Sequence, residues 1–245
     1  MSRVVTAPPV VRLGRVDSTQ AVAFALAADG AADGTVVVAD SQAAGRGRRG
    51  RRWVDEPGAS LLVSIVLHPR LEPVRLPGLS LAAGVAVAEA LTRAAGLSPR
   101  LKWPNDVLVG GRKIAGILLE SRVSGDGDSG RVTAVLGIGI NLGQRLFPVE
   151  LGQRATSVWL ASGRVVDREV LLAALLDAVG DWRRRLEYRG FAAVRTRWRE
   201  LSDTLGRSVT VDGVSGLAVD VDVDGALVVN DAEGRRHRVV AGDVG

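Results

Sequence analysis

Residues 102–120 read KWPNDVLVGGRKIAGILLE, and they hold the clearest structural signal in the chain. Gly110 and Gly111 separate a short apolar run at 107–109 from a longer one at 113–121, which is the pattern of a β-hairpin. Pro104 biases Trp103 toward an extended backbone. A short strand at 100–103 would therefore end in a turn at Trp-Pro-Asn-Asp, just before the hairpin. The stretch therefore predicts neighbouring strands whose turn carries ammonium, indole, amide and carboxylate groups.

Strands and helices alternate on either side of this stretch. A β-branched or apolar run of a few residues indicates a strand, whereas a longer apolar run with helical spacing indicates a helix. These rules predict strands at 10–16, 35–39, 60–67 and 132–140, and helices at 20–29, 79–95, 167–188 and 191–201. The mixture predicts an α+β fold.

From Leu205 onward the pattern changes to short β-rich stretches separated by glycine turns. The turns lie at residues 212–213, 224–225 and 233–234. Short strands of this kind indicate a small β-barrel of about 40 residues. We therefore predict two domains, residues 1–202 and residues 203–245.

Residues 45–53 read GRGRRGRRW, and we call them the arginine loop. Its five arginines match the formal net charge of +5 of the whole chain. Interior glycines disfavour a helix by about 1 kcal/mol each, so the segment predicts a flexible positive loop that can close over an anion. The loop matches the pattern G-x-G-x-x-G. A dinucleotide-binding fold is not indicated, because no helix start follows the loop. A Walker A loop is not indicated either, because no Lys-Ser/Thr pair follows the last glycine.

Composition narrows the chemistry further. The chain has no cysteine and only two distant histidines, His68 and His237, which excludes disulfides, thiolate chemistry and a typical transition-metal site. Of its 32 basic residues only Lys102 and Lys113 are lysines. The ammonium group of lysine is a compact point charge, whereas the guanidinium group of arginine is a planar fork. Lys102 and Lys113 are therefore candidates for sites that need a point charge.

Two further motifs stand near predicted elements. Residues 17–19 read DST and supply side-chain oxygens that would cap the helix at 20–29. Residues 137–141 read GIGIN, and two glycines in a strand indicate close approach of a ligand, another backbone or a dimer edge. Taken singly, the motifs also fit structural roles: a solvated basic loop, a core tryptophan and a strand-end lysine.

The order of these motifs resembles that of the biotin protein ligase family. The resemblance covers essentially the whole chain and rests on residues 17–19, 41–53, 102–106, 111–120 and 137–141. It implies a mixed-sheet catalytic domain of the biotin/lipoate ligase type, followed by a small SH3-like barrel. It also implies an ATP-dependent ligase that forms biotinyl-5′-AMP and pyrophosphate. Biotin would then pass to a lysine of the biotin carboxyl carrier domain of acetyl-CoA carboxylase or another acyl-CoA carboxylase.

The resemblance assigns roles to individual residues. The biotin-binding set is Ser18, Thr19, Gln20, Gln42, Gly45, Arg46, Gly47, Arg48 and Lys113. The nucleotide-binding set is Arg46, Arg48, Trp53, Asn105 and Asn141, with Trp53 as a candidate stacking partner. The catalytic set is Arg48, Lys113, Asp106 and Lys102, in which Asp106 would help to hold Mg²⁺ or orient Lys113. Gln20 departs from the asparagine that family members commonly carry after Ser-Thr.

The resemblance also bears on partners and location. Many bacterial relatives carry an N-terminal winged-helix DNA-binding domain, whereas the first predicted strand here begins at residue 10. We therefore expect a short form without DNA binding or repressor activity, acting in the cytoplasm as a monomer or weak homodimer. The most apolar run, residues 79–88, is shorter than the ~20 residues of a membrane span, so no membrane segment is expected.

Two alternatives fit parts of the pattern. A lipoate-type protein ligase shares the catalytic fold and the adenylate chemistry, but the arginine loop and the Lys-Trp-Pro-Asn-Asp motif argue against it. A nucleic-acid-binding module would explain the isoelectric point of about 10.7 and the arginine cluster. The sequence shows neither a helix-turn-helix nor a basic helix face to support that module.

Overall fold

The structure is a computed structural model that describes residues 9–124 and 131–244. Its strands are β1 (Val10–Val16), β2 (Val36–Gln42), β3 (Ser60–Leu67), β4 (Arg100–Lys102), β5 (Asp106–Val109), β6 (Arg112–Ser124), β7 (Arg131–Asn141), β8 (Ser208–Val211), β9 (Val214–Val221), β10 (Leu227–Asn230) and β11 (Arg236–Val239). Its helices are α1 (Thr19–Ala28), α2 (Pro77–Ala95), α3 (Val158–Ser162), α4 (Arg168–Arg189) and α5 (Ala192–Leu201). The predicted elements are confirmed within a few residues, and α3 is an addition.

Seven strands form a mixed sheet in the order β1-β2-β3-β7-β6-β5-β4. β1 runs parallel to β2, whereas β2 with β3, β4 with β5 and β5 with β6 are antiparallel. A separate antiparallel sheet has the order β11-β10-β9-β8. The predicted α+β fold, with a mixed sheet and a smaller C-terminal β domain, is confirmed.

Chain contacts divide the molecule into two compact units. The first unit comprises residues 1–69 and 118–139, and the second comprises residues 70–117 and 140–245. This division differs from the predicted domain boundary between residues 202 and 203, which stays a prediction.

The first unit is built around strands with little access to water. β3 reads SLLVSIVL, and all eight of its residues are buried. Helix α1 packs on β2 and β3, and its Ala23 and Phe24 cluster with Val37, Val66 and Val135. Because buried polar groups need partners, Ser64 in the middle of β3 has to find its hydrogen bonds inside the protein.

Helix α2 is the central helix of the second unit. It packs against α4, α5, β4 and β5, and it ends at Gly96, whose φ of +65° favours glycine. Residues 73–95 form a helical segment that is long and apolar enough to cross a membrane by length and composition. The shorter apolar run at 79–88 did not predict a helical segment of this length. The most apolar window of residues 73–95 is 72% buried inside the protein, as expected of a core helix.

The hairpin predicted within residues 102–120 is formed by β5 and β6. Gly110 and Gly111 have φ values of +56° and +74°, as a two-residue type I′ turn requires. The preceding Trp103–Pro104 peptide bond is cis. The Trp103 indole is 2% exposed, and its Nε1 donates to Gly225 O at 3.0 Å. Trp103 is therefore a core residue and not a surface for stacking.

Backbone and side-chain bonds tie the C-terminal strands to the rest of the second unit. Trp103 N donates to Thr204 Oγ1 at 2.9 Å, and Asp203 N donates to Leu101 O at 2.8 Å. On α5, Arg195 forms an ion pair with Asp220 of β9. These bonds explain why residues 203–245 group with the second unit although their sheet is separate.

The two glycines of β7 make room for side chains of the same chain. A Cβ at Gly139 would lie 2.6 Å from Trp53 Cε2, and a Cβ at Gly137 would lie 2.6 Å from Gln20 Oε1. Carbon atoms do not approach so closely without displacing a neighbour. Among the described residues, the groups that approach these two glycines closely are thus the side chains of Trp53 and Gln20.

We predict that Gly139→Ala displaces Trp53 and loosens the arginine loop, because the added methyl group would overlap the indole. The rate of tryptic cleavage within residues 46–52 should then rise several-fold. Gly14→Ala on β1 is the matched control, since a Cβ at Gly14 meets nothing within 4 Å. Equal cleavage rates in the two variants would contradict the packing argument.

Asp231 organises the turn between β10 and β11. Its Oδ1 accepts from the backbone N of Glu233 at 3.0 Å and of Arg235 at 2.8 Å. Its Oδ2 pairs with His237 Nε2 at 2.7 Å and accepts from Arg235 Nε at 2.8 Å. The hydrogen bond with His237, followed by those with Arg235, holds the pKa of Asp231 well below its usual range.

We predict that Asp231→Asn lowers the thermal unfolding temperature at pH 7. A carboxyl group whose pKa is lowered by folding stabilises the protein above its unfolded pKa of about 3.9 and loses that contribution as the pH falls toward the folded value. The difference between the variant and the wild type should therefore shrink below about pH 4. Circular dichroism melts between pH 7 and pH 3 measure it, and a difference independent of pH would contradict the electrostatic cause.

Candidate active site

The predicted site residues divide between the two units. The first unit holds Ser18, Thr19, Gln20, Gln42 and the arginine loop with Trp53. The second unit holds Lys102, Asn105, Asp106, Lys113 and Asn141.

Ser18 occupies the N-cap position of α1, but its side chain does not cap the helix. Ser18 Oγ is buried and has no hydrogen-bond partner within residues 9–124 and 131–244. A buried polar group without a partner costs roughly 1–3 kcal/mol unless a bound molecule supplies one. The predicted capping role of this side chain is therefore wrong, and its contact with biotin stays a prediction.

Thr19 fixes the orientation of the Gln42 side-chain amide. Thr19 N and Thr19 Oγ1 both donate to Gln42 Oε1, at 2.8 and 3.0 Å. Gln42 Nε2 lies at the opposite side of the amide, 3.2 Å from the position that a Cβ at Gly45 would take. Because Gly45 has no side chain, Gln42 presents a hydrogen-bond donor at the base of the arginine loop.

Asp55 holds the backbone of Gln42 at the end of β2. Gln42 N lies 3.3 Å from both carboxylate oxygens of Asp55. Burial raises the pKa of Asp55 above its usual value, against the smaller opposing effects of this hydrogen bond and of the Arg15 charge. Asp55 therefore anchors the strand end that carries Gln42.

Gln20 belongs to a buried hydrogen-bond network. Its Nε2 donates to Val135 O at 3.0 Å, and its Oε1 accepts from Ser64 Oγ at 3.1 Å. Ser64 Oγ also donates to Thr19 Oγ1 at 2.9 Å. The longer side chain, compared with the expected asparagine, thus supports Thr19 from inside the protein. A direct contact between Gln20 and biotin stays a prediction.

The arginine loop folds back on itself as a short hairpin. Trp53 N donates to Gly45 O at 3.0 Å, and Gly47 N donates to Arg51 O at 2.7 Å. A single 3₁₀ turn, Arg48–Gly50, forms the tip. The segment thus avoids a regular helix, as its glycines predict. Its backbone is held at the base by the packing of Trp53.

The arginine loop lines a pocket of about 480 Å³ together with Ala44, Leu118 and Glu120. Arg46 Nη2 lies 3.0 Å from Glu120 Oε1 in an ion pair. Glu120 Oε2 is buried and has no hydrogen-bond partner in the part of the chain that the structure describes. Glu120 ends the 111–120 motif, and no role was predicted for it. The feature of the sequence that could have indicated a role is a carboxylate at the end of the apolar run 114–119.

One lysine of the chain contacts Asp106, and the other lies opposite Asp106 in the sheet. Lys113 Nζ lies 2.6 Å from Asp106 Oδ1, and the two side chains are 34% and 25% exposed. Lys102 is directly opposite Asp106 in the register of β4 and β5, so their side chains project from the same face. The ion pair fixes the position of the Lys113 ammonium, while Lys102 adds a second positive charge nearby.

The two amides predicted to face adenine hold backbone segments together in this structure. Asn141 Nδ2 donates to Thr156 O at 2.9 Å, and Thr156 N donates to Lys113 O at 2.8 Å. Asn105 Nδ2 donates to Ile117 O at 2.7 Å. Both amides therefore shape the surroundings of Lys113 and Asp106, and their contact with a nucleotide stays a prediction.

The described residues contain no group of three acidic, histidine or cysteine side chains that could hold a metal ion. Mg²⁺ in nucleotide sites is usually bound by substrate phosphates, waters and one or two carboxylates. Asp106 can supply such a carboxylate, so the residues fit a magnesium ion that arrives with a nucleotide.

Comparison with known proteins agrees with this geometry. Residues 13–141 match the biotin/lipoate A/B protein ligase family, and residues 204–244 match the biotin protein ligase C terminal domain. The biotin–[acetyl-CoA-carboxylase] ligase of Paracoccus denitrificans is 39% identical over 234 residues, covering 91% of this chain and 95% of that protein. The bifunctional ligase/repressor BirA of Bacillus spizizenii is 38% identical over 226 residues, covering 89% of this chain and 68% of that protein.

Solved structures give the same answer. The biotin protein ligase from Aquifex aeolicus in complex with biotin and ATP superimposes with a TM-score of 0.83 at 30% identity, covering 97% of both chains. Sequence and fold thus agree over nearly the whole length. The chain therefore belongs to the biotin/lipoate protein ligase family, as a biotin protein ligase.

Proposed function

We infer that this protein is an ATP-dependent biotin–protein ligase. The observation that carries the inference is the pocket of about 480 Å³ that the arginine loop lines. Guanidinium groups suit a carboxylate and a polyphosphate. Gly45, which lines this pocket, is next to the fixed amide donor of Gln42, and such a donor suits the carbonyl oxygen of a cyclic urea. Biotin and ATP are the compounds bound in the Aquifex relative.

The reaction has two steps. In the first, an oxygen of the biotin carboxylate attacks the α-phosphorus of ATP, the bond to the bridging oxygen breaks, and pyrophosphate leaves. In the second, the amine of a carrier lysine attacks the acyl carbon of biotinyl-5′-AMP, AMP leaves, a proton is released and an amide remains. The first step brings two anions together, so fixed positive groups lower its barrier.

We propose that the ureido ring of biotin lies at the N-terminus of α1. Gln42 Nε2 would donate to the ring oxygen, because Thr19 holds Gln42 Oε1 on the other side. Ser18 Oγ, which is buried and has no partner among the described residues, would bond to the same ring. The ring offers one acceptor oxygen and two N–H donors, which suits a fixed donor together with a hydroxyl.

We propose that the arginine loop receives the carboxylate and the phosphates. Arg46 is paired with Glu120 through Nη2, so an anionic ligand would compete with the Glu120 carboxylate for this guanidinium. Arg48 would then hold the adenylate until the carrier arrives. Gly45 and Gly47 would let the backbone approach the ligand closely.

We propose that Lys113 contacts the reacting carboxylate or an oxygen of the α-phosphate. Asp106 would orient Lys113 through their ion pair, and Lys102 would serve the departing pyrophosphate. Mg²⁺ would neutralise part of the phosphate charge, with Asp106 as its protein ligand. Trp53, Asn105 and Asn141 are each proposed to contact the nucleotide.

The proposed protein partner is the biotin carboxyl carrier domain of a carboxylase, because the name of the Paracoccus relative specifies acetyl-CoA carboxylase. A chain without cysteine suits a reducing compartment, and we place the enzyme in the cytoplasm as a monomer or weak homodimer. We propose no DNA partner, since the arginine loop lines a pocket of small-molecule size. Separate family matches at 13–141 and 204–244 support a domain boundary near residue 202.

Mass spectrometry of a purified carrier domain tests the function. After incubation with the protein, ATP, Mg²⁺ and biotin, the carrier should gain one biotinyl group on a lysine. Reactions without ATP are the control, and lipoate in place of biotin tests the alternative ligase. Labelling by lipoate alone, or by neither compound, would overturn the inference.

We predict that Lys113→Arg slows formation of biotinyl-5′-AMP by about 10²-fold although the positive charge is kept. The planar guanidinium cannot occupy the compact position that Lys113 Nζ takes 2.6 Å from Asp106. ATP–pyrophosphate exchange measures the rate. Lys102→Arg on β4 is the comparison and should lose less activity. An exchange rate near that of the wild type in Lys113→Arg would contradict the need for a point charge.

A further inference from the structure

Ser64 lies in the middle of β3, is 0% exposed and has apolar neighbours on both sides along the strand. We propose that Ser64, together with Gln20, is a positioning residue that fixes the hydrogen-bond direction of the Thr19–Gln42 pair. Through this direction it would select ligands that present a carbonyl oxygen to the pocket. The inference rests on the proposed function, since it concerns the biotin subsite.

The backbone of β7 fixes the direction at one end of the network. Val135 O can only accept, so the Gln20 atom 3.0 Å away must be Nε2. Gln20 Oε1 therefore faces Ser64 Oγ at 3.1 Å, and because an amide oxygen can only accept, Ser64 is the donor. Gly137 leaves the space that Gln20 Oε1 occupies, since a Cβ there would lie 2.6 Å from this oxygen.

The backbone of α1 fixes the direction at the other end. Thr19 N can only donate, so the Gln42 atom 2.8 Å away must be Oε1. Thr19 Oγ1 lies 3.0 Å from the same oxygen and gives it its single hydrogen. Only lone pairs then remain on Thr19 Oγ1 for Ser64 Oγ at 2.9 Å, so Ser64 donates here as well.

Ser64 thus shares one hydrogen between two acceptors, Gln20 Oε1 and Thr19 Oγ1. Without the Ser64 hydroxyl, Gln20 Oε1 and Thr19 Oγ1 both lose the hydrogen that Ser64 donates. The Thr19 hydroxyl is then no longer held from behind and can turn its hydrogen away from Gln42 Oε1. Gln42 Oε1 then keeps only the bond from Thr19 N, and the Gln42 amide is held less firmly. A ligand would no longer meet a fixed donor at Gln42 Nε2.

The fixed donor gives the pocket a preference that can be measured. The ureido oxygen of biotin accepts a hydrogen bond, whereas 2-iminobiotin carries an N–H group at the same place. A donor facing a donor is repulsive, so a firmly held Gln42 amide should discriminate against 2-iminobiotin. A loosely held amide can rotate and offer its oxygen, so its discrimination should be weaker.

Titration calorimetry of the full chain with biotin alone tests the proposal. We expect Ser64→Ala to bind biotin roughly five- to tenfold more weakly than the wild type. The KM for biotin in adenylation should rise by a similar factor, while the KM for ATP stays unchanged. The preference for biotin over 2-iminobiotin should narrow several-fold in the same variant.

Two further variants separate positioning from stability. Ser60→Ala removes a second serine of β3 that is also 0% exposed, and it should leave the preference for biotin unchanged. Ser64→Cys keeps a weak donor and should give an intermediate preference. Thermal unfolding of each variant shows what fraction of the protein is folded at the temperature of the titration. If Ser64→Ala does not fold, the preference of Ser64→Cys for biotin over 2-iminobiotin tests the positioning role.

The outcomes are distinct. If the wild type does not bind biotin, the proposed function fails regardless of Ser64. If the wild type binds biotin and Ser64→Ala keeps its affinity and its preference, the positioning role is overturned. Equal weakening toward biotin and 2-iminobiotin in Ser64→Ala also overturns it, because that would be a general loss of the pocket.

Discussion

The hydrogen bonds from Thr19 to the side-chain oxygen of Gln42 are the interaction on which the proposed biotin subsite depends. They join the start of α1 to the end of β2 and leave Gln42 with one orientation. The donor and acceptor of each bond are fixed, because the supporting residues Ser64 and Val135 are buried on their strands. Water cannot substitute there for a lost partner. Reversing any link would leave a buried group unpaired.

Three glycines complete this arrangement through the side chains that they lack. Gly137 leaves space for Gln20, Gly139 leaves space for Trp53, and Gly45 leaves space for the Gln42 amide. The arginine loop is consequently anchored at its base by packing, while its guanidinium groups line the pocket. Glu120 compensates one of these charges, so the pocket contains a counter-ion for Arg46.

The proposed phosphate chemistry would place different demands on the second unit. Lys113 and Asp106 lie on the two strands of one hairpin, whose register shifts between Val107 and Leu108, and Lys102 comes from the adjacent strand β4. A compact ammonium held by a carboxylate provides a point charge at a defined position, which an arginine fork does not. Asn105 and Asn141 donate to backbone oxygens around this hairpin and so support its shape.

The amino-acid sequence by itself determined the order of helices and strands, the β5–β6 hairpin, the arginine loop and the two exceptional lysines. Each of these follows from local periodicity, turn chemistry or charge, which act between residues close in the chain. The five-residue helix α3 was missed because it is too short to show a period. The roles of Ser18, Ser64 and Glu120 were decided only by the tertiary structure. Whether a serine caps a helix or joins a network depends on which distant strand faces it, and strand order in a sheet is set by long-range packing.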